Sequence, residues 1–106
     1  MAAAQAEPLT NLLSMAQRAN RIVSGAFATE KALKEHKAVL LVIASDASED
    51  SKAKYLASAS KYKIPCVEIL DRDTLGTCLG KEYRAVAALL DKGFAAKLQA
   101  ILEDKI

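Results

Sequence analysis

Residues 39–43 form the most concentrated apolar run of the sequence, and they constrain the fold more than any other segment. All five are aliphatic, and three of them are β-branched, a composition typical of β-strands. Because no polar residue interrupts the run, we expect both faces of this strand to be covered. The run is far shorter than the roughly 20 residues of a membrane span. It therefore predicts a central strand of a sheet that lies between helices.

Helical and strand-like patterns alternate along the rest of the chain. Residues 1–7 are alanine-rich without a periodic partner, and we expect them to be frayed. Apolar spacing and turn residues predict helices over residues 8–19, 27–36, 49–63, 73–79 and after Asp91, and strands over residues 22–23, 39–43, 66–70 and 83–90. This alternation predicts an α/β protein with about four strands in a parallel or mixed sheet between helical layers.

Several single residues predict where helices begin, end or pack. Ser48, Asp71 and Asp91 have the side chains of N-caps. Asn20 and Gly80 are suited to the left-handed conformation that ends a helix. A glycine inside a short helix, Gly76, predicts close packing. In the helix over residues 49–63, Leu56 and its alanine neighbours are expected to supply the buried side, and Tyr55 and Tyr62 to share a face.

The composition limits the possible classes of protein. The chain has 106 residues and an apolar content of 52%, which predicts a single folded domain over residues 1–106. No leader pattern is visible, so we expect a cytoplasmic protein that does not bind membranes and whose two cysteines are reduced. Four lysines lie between residues 51 and 63 without an acid, and this run is read as a solvated helix face in preference to a phosphate-binding patch.

The sequence offers little for catalysis. The only histidine, His36, lies among charged residues near a helix end, where a surface role is the favoured interpretation. Cys66 and Cys78 lie twelve residues apart with no histidine after them, and the four glycines are scattered, so neither a metal site nor a nucleotide-binding loop is predicted. We therefore predict a protein that is not an enzyme and has no cofactor or small-molecule substrate. An enzyme that uses either cysteine is a weaker alternative.

Four segments, residues 13–25, 41–49, 75–84 and 90–98, resemble one family in the same order and with compatible spacing. It is the superfamily of ribosomal proteins that bind kink-turn RNA, and in particular its small bacterial YlxQ-like branch. The resemblance implies a three-layer α-β-α sandwich with a four-stranded mixed sheet. It also implies an RNA-binding protein of ribosomal-protein type, whose partner is ribosomal or other structured RNA, with the ribosome as a further candidate.

The resemblance places the RNA-binding site at the start of the second helix and in two nearby loops. In RNA-binding members, a glycine, an asparagine–glutamate pair and a lysine at the helix start contact tandem G·A pairs, and a loop covers a flipped-out nucleotide. The corresponding positions of this chain are Gly25, Phe27, Ala28, Lys31, Ser48, Lys81, Glu82, Tyr83 and Arg84. The strand-end turn over residues 45–48 completes this site.

This chain departs from the family at Phe27 and Ala28, which cannot hydrogen-bond to a base edge. The departure argues against high-affinity kink-turn recognition, although generic RNA binding is still expected. It also favours an alternative, a protein-interaction adaptor that has lost RNA recognition. For Phe27, packing under the helix start is preferred over stacking on a base. The plain alternatives for the other residues are a Lys31–Glu35 ion pair, a strand-end charge at Arg84, and packing of Tyr83 against the sheet edge.

Overall fold

The computed structural model describes the backbone of residues 3–103 and the side chains of residues 7–103. Helices and strands alternate throughout this part of the chain, as the hydrophobic pattern predicts. The elements are α1 (Ala3–Arg18), β1 (Ile22–Ser24), α2 (Ala26–Lys34), β2 (Leu40–Ile43), α3 (Glu49–Tyr62), β3 (Cys66–Glu68), α4 (Arg72–Cys78), β4 (Val86–Leu89) and α5 (Lys92–Glu103). None of these helices is both long and apolar enough to cross a membrane.

The four strands form one mixed sheet in the order β1-β4-β2-β3. β4 runs antiparallel to β1 and β2, with Leu41 opposite Ala88. β2 and β3 are parallel, and α3 is the crossover connection that a parallel pair needs. The apolar run at residues 39–43 supplies the interior strand β2, all of whose side chains are fully buried, and the prediction of a central strand is confirmed.

Helices cover both faces of the sheet and give it three layers. α2 packs on β1 and β4, and α3 packs beside it on β2 and β3. α1 contacts α4 and α5 as well as β1, and α5 contacts β4, so these three helices form the other layer. The predicted α-β-α sandwich with a four-stranded mixed sheet is therefore confirmed.

Local capping chemistry sets several of the element boundaries. The carboxylates of Asp71 and Asp91 accept hydrogen bonds from backbone N–H groups three residues later, at 2.7 and 3.0 Å. Such caps typically stabilise a helix by about 0.5–2 kcal/mol. Asn20 follows α1 with a φ of 58°, the left-handed geometry predicted for it. These three predictions needed only neighbouring residues, and all are confirmed.

The predicted start of α1 was wrong. The helix begins at Ala3, so residues 3–7, which were predicted to be frayed, are helical; Met1 and Ala2 lie outside the described residues. Alanine has the highest helix propensity of all residues, which explains the extension. Pro8 lies inside the helix, where it removes one backbone hydrogen bond.

Other predicted boundaries were too long by one to three residues. β3 ends at Glu68 because the chain turns into a left-handed φ of 59° at Leu70. β4 begins only at Val86, since the Arg84 N–H donates to the Arg72 carbonyl of α4 instead of to a strand, at 3.2 Å. The loop that follows β3 and the loop that precedes β4 therefore lie at the same end of the sheet.

The buried side of α3 was assigned incorrectly. Leu56 is 47% exposed, whereas Tyr55 and Ala59 are buried and Tyr62 packs against the core. The predicted shared face of the two tyrosines is therefore the inward face of α3. Tyr55 and Leu56 are adjacent in the helix and point in different directions. Because the larger tyrosine ring takes the inward position, the leucine is left in solvent.

Candidate nucleic-acid interface

Three segments that are far apart in sequence meet at one end of the sheet. Because β4 is antiparallel to its neighbours, its N-terminal end lies beside the C-terminal ends of β1 and β2. The start of α2 follows β1, the turn at residues 45–48 follows β2, and the loop at residues 80–84 precedes β4. We call these segments, residues 25–31, 45–48 and 80–84, the candidate interface.

Gly25 joins β1 to α2 and is held by backbone hydrogen bonds. Its φ of 88° is in the region that disfavours residues with a Cβ. Its N–H donates to the Val86 carbonyl at 2.9 Å, and its carbonyl accepts from the Thr29 N–H at 3.0 Å. No side chain caps this helix start, so the first-turn N–H groups of α2 are available to an anion.

Arg84 connects the loop at residues 80–84 to the start of α2. Its Nε donates to Ser24 Oγ at 3.0 Å, and its Nη1 donates to the carbonyl of Tyr83 at 2.6 Å. A Cβ placed on Gly25 would lie 3.7 Å from Arg84 Nε. The guanidinium therefore lies against the helix start, and Arg84 is more than a charge at a strand end.

The loop at residues 80–84 rests directly on α4. A Cβ placed on Gly76 would lie 2.5 Å from the carbonyl oxygen of Glu82, so the close packing predicted at this glycine is confirmed. Gly80 enters the loop with a φ of 74°, as predicted for a helix stop. Lys81 and Glu82 are exposed, and the Tyr83 ring is 64% exposed. The alternative in which Tyr83 packs against the sheet edge was wrong.

The turn at residues 45–48 is anchored to the segment that precedes α4. Ser45 Oγ donates to the Leu70 carbonyl at 2.8 Å. Asp46 accepts from the backbone N–H of Arg72 at 2.9 Å and lies 3.5 Å from its Nε. Ser48 is the N-cap of α3 and accepts from the Ser51 N–H at 3.1 Å. The Ser48 hydroxyl thus has a structural partner, and Asp46 holds the turn in place.

Phe27 is the most exposed large apolar side chain of the candidate interface, with 84% of it accessible. The preferred interpretation, packing under the helix start, was wrong: the helix turns the ring outward, while Thr29 and Ala32 face the core. Phe27 and Lys31 lie one turn apart and line two surface depressions of about 550 and 330 Å³. Ala28 is half-buried and lines the smaller depression.

Nearby lysines pair with the acidic residues in and directly after α2. Glu30 Oε2 accepts from Lys54 Nζ at 3.0 Å and from the Tyr55 hydroxyl at 3.4 Å, and the Lys54 bond lowers the pKa of Glu30. Glu35 lies 3.3 Å from Lys37 Nζ. The predicted alternative in which Lys31 pairs with Glu35 was therefore wrong.

Two lysines of the lysine-rich helix α3 are paired with nearby carboxylates. Lys52 Nζ lies 3.4 Å from Glu68 and 3.8 Å from Glu49, and Lys54 is paired with Glu30. Because carboxylates compensate two of the four lysines at residues 51–63, this segment has less free positive charge than its sequence suggests. The pairing favours the interpretation of residues 51–63 as a solvated helix face.

Both cysteines are half-buried thiols, and burial raises the pKa of Cys66 and of Cys78 from 9.0 to about 11. Since the thiolate is the nucleophile, each is expected to react slowly with iodoacetamide at pH 8, where about one thiol in 1,000 is ionised. Because the ionised fraction of each thiol grows about tenfold with each pH unit below its pKa, the rate should rise about tenfold per unit up to about pH 11, and it should be far higher in urea. Labelling of the folded chain as fast as that of the unfolded chain would contradict this and revive the cysteine-enzyme alternative.

The described side chains, residues 7–103, also contain no group of three histidine, cysteine, aspartate or glutamate residues placed to hold a metal ion.

Two contributors to the candidate interface were missed from the sequence. Ser24 holds Arg84 although sixty residues separate them, and no local pattern could have revealed this contact. Lys34 lines the larger depression together with Phe27 and Lys31. The spacing of three and seven residues on one helix face could have identified it.

Comparison with known proteins identifies relatives over most of the chain. Residues 7–99 match the model of the family described as "Ribosomal protein L7Ae/L30e/S12e/Gadd45 family". The chain is 37% identical over 92 residues to "RNA-binding protein YlxQ" of Bacillus subtilis, covering 87% of this chain and 92% of that protein. It is 33% identical over 93 residues to the protein of the same name from Enterococcus faecium, covering 88% of this chain and 89% of that protein.

Two solved structures share the fold. A Bacillus halodurans protein described as of unknown function superposes with a TM-score of 0.85 at 32% identity, covering 91% of this chain and 97% of its own. The "15.5kD RNA binding protein" of Giardia lamblia superposes with a TM-score of 0.74 at 22% identity, covering 95% of this chain and 92% of its own. At this level of identity, the similarity to the Giardia lamblia protein shows a shared fold alone.

Proposed function

We propose that this chain, which belongs to the ribosomal protein L7Ae/L30e/S12e/Gadd45 family, is an RNA-binding protein that recognises structured RNA through the candidate interface. The family and the YlxQ-like branch are those that the sequence predicted by resemblance. The family and the names of its curated relatives indicate that this chain is not an enzyme. Ribosomal RNA is the structured RNA that the family name favours, and a cytoplasmic location stays a prediction.

One observation carries the proposal: the Arg84 side chain lies against the start of α2 and joins it to the loop at residues 80–84. The same end of the sheet presents an uncapped helix start and the exposed Lys31 and Tyr83. Exposed backbone amides and cationic side chains suit phosphates. An exposed aromatic ring suits an unpaired base. These are the components that RNA recognition requires.

Salt and a lysine substitution test the electrostatic part of this proposal. For a structured RNA, log Kd should rise linearly with the logarithm of the salt concentration, because contacts with phosphates release counterions. Replacing Lys31 with alanine is expected to lower the slope by about one and to weaken binding about 5-fold at moderate salt. Filter binding or fluorescence anisotropy at four salt concentrations measures both quantities.

Lys97→Ala is the matched control, since Lys97 is also an exposed helical lysine but belongs to α5 in the opposite layer. It should leave slope and affinity unchanged. Equal losses for Lys31→Ala and Lys97→Ala would indicate diffuse attraction without the proposed interface. No binding of wild-type protein to structured RNA at low salt would refute RNA binding itself.

The exposed ring of Phe27 favours the protein-interaction adaptor as a second candidate function. Measuring the affinity for a kink-turn RNA and for the same RNA without its tandem G·A pairs distinguishes kink-turn recognition, general RNA binding and the adaptor function. Tighter binding to the intact kink-turn would mean that other groups replace the missing asparagine–glutamate contacts. Equal, salt-sensitive binding to both would mean RNA association without kink-turn readout, and binding to neither would favour the adaptor.

A further inference from the structure

Phe27 has a geometry that local packing does not explain. Its ring is 84% exposed at the start of α2, and burying a phenylalanine would contribute about 1.5–3 kcal/mol. The helix instead directs Thr29 and Leu33 to the core. Beside the ring lies the depression of about 550 Å³, whose other lining residues are Ala26, Glu30, Lys31, Lys34 and Glu35. This surface combines an aromatic ring with charged side chains at its edge.

The charges around this depression favour an anionic occupant. Glu30 is paired with Lys54 at 3.0 Å, and Glu35 with Lys37 at 3.3 Å. Among the side chains that the structure describes, neither Lys31 nor Lys34 forms an ion pair. The acids are thus compensated from outside the depression, and two lysines beside Phe27 supply uncompensated positive charge.

The chemistry of the helix start excludes one kind of RNA recognition and permits another. Neither Phe27 nor Ala28 can donate or accept a hydrogen bond through its side chain, so this part of the helix cannot read base edges. A phenyl ring can stack on any base, because every base has a π-face. The first-turn N–H groups lack a side-chain cap, and they can receive the phosphate next to a stacked base.

We propose that Phe27 is a stacking platform for an unpaired RNA base, with Lys31 and Lys34 holding the phosphates on either side of that nucleotide. This inference rests on the proposed function and specifies the contact made by the start of α2: the Phe27 ring stacks on the face of an unpaired base, so a hairpin that offers such a base is bound more tightly than a fully paired one. Recognition through the ring is tolerant of base identity, since it uses the face of the base and not its edge.

The test compares three RNA hairpins of equal length: one with a single bulged adenosine, one with an abasic nucleotide at the bulge, and one fully paired. Wild-type protein should bind the bulged hairpin most tightly. Phe27→Ala should weaken that binding about 5- to 150-fold, the range for loss of one stacked base. It should cause no further loss on the abasic hairpin, because the base and the ring form one interaction.

Met15→Ala is the matched control, because Met15 is a 46% exposed apolar residue of α1 in the opposite layer. It should bind all three hairpins like the wild type. Phe27→Trp supplies an independent readout, since the chain has no tryptophan of its own. Its fluorescence should be quenched by the bulged hairpin and much less by the abasic one.

The outcomes separate the two proposals. Unchanged affinity of Phe27→Ala for the bulged hairpin would overturn the stacking inference while leaving RNA binding intact. So would equal wild-type affinity for the bulged and abasic hairpins. Failure of wild-type protein to bind any hairpin at low salt would refute the proposed function itself. A blue shift of Phe27→Trp emission with rising protein concentration, and no response to RNA, would identify a second copy of this chain as the occupant and overturn the inference.

Discussion

Replacing Gly76 with alanine is expected to lower the free energy of unfolding by about 1–3 kcal/mol, the usual cost of overpacking. The new Cβ would lie 2.5 Å from the carbonyl oxygen of Glu82 and 3.0 Å from the Tyr83 Cα. Because these are backbone atoms, the loop at residues 80–84 must move. The higher helix propensity of alanine returns at most about 1 kcal/mol, which is too little to offset the clash.

The same substitution is expected to weaken RNA binding, because moving the loop displaces Tyr83 and Arg84 from the start of α2. Urea denaturation measures the stability change. The amide NMR signals of Gly25 and Arg84 report whether the contact between loop and helix survives. Thr77→Ala is the control: Thr77 is exposed in the same helix, and the change should be neutral or slightly stabilising. A Gly76→Ala protein with wild-type stability and unshifted amide signals would contradict the close packing.

Replacing Leu41 with alanine should have the largest effect on stability of any single change considered. Leu41 is fully buried in β2 and lies between Cys66 of β3 and Ala88 of β4. Truncating such a leucine typically costs about 2–5 kcal/mol, since it removes buried methyl groups and leaves a cavity. This is a large share of the roughly 5–15 kcal/mol by which domains are stable.

Leu56→Ala is the matched control for this experiment, because Leu56 is 47% exposed in a helix that tolerates alanine. Its free energy of unfolding should change by less than about 1 kcal/mol. Both variants should show the same urea m-value as the wild type if the denatured states are alike. Equal losses at the two positions would mean that α3 packs through the face predicted from the sequence, contrary to the structure.

Fold prediction succeeded where the signal was local or strongly apolar. The run at residues 39–43 predicted an interior strand because a strand that is covered on both faces buries every side chain of a short, β-branched aliphatic run. The aspartate caps were predictable because each acts on an N–H three residues away. The face of α3 was not predictable, since Tyr55 and Leu56 are adjacent and both apolar. Only contact with the sheet decided which of them is buried.

The candidate interface was predicted in part, through resemblance. The nine predicted residues lie in the three segments described here, which meet at one end of the sheet. The resemblance gave their positions but not the state of their side chains: the outward ring of Phe27, the serine that holds Arg84, or the capping bond of Ser48. These depend on helix rotation and on partners that are distant in sequence.

The amino-acid sequence by itself determined the α/β class, the interior strand and several helix ends, because each follows from hydrophobic burial or from hydrogen bonds between close neighbours. The tertiary structure alone decided the strand order β1-β4-β2-β3 and the contact between Ser24 and Arg84. It also decided the exposure of Phe27. The physical reason is that these features arise from packing whole elements against one another, and such packing joins residues that no local pattern relates.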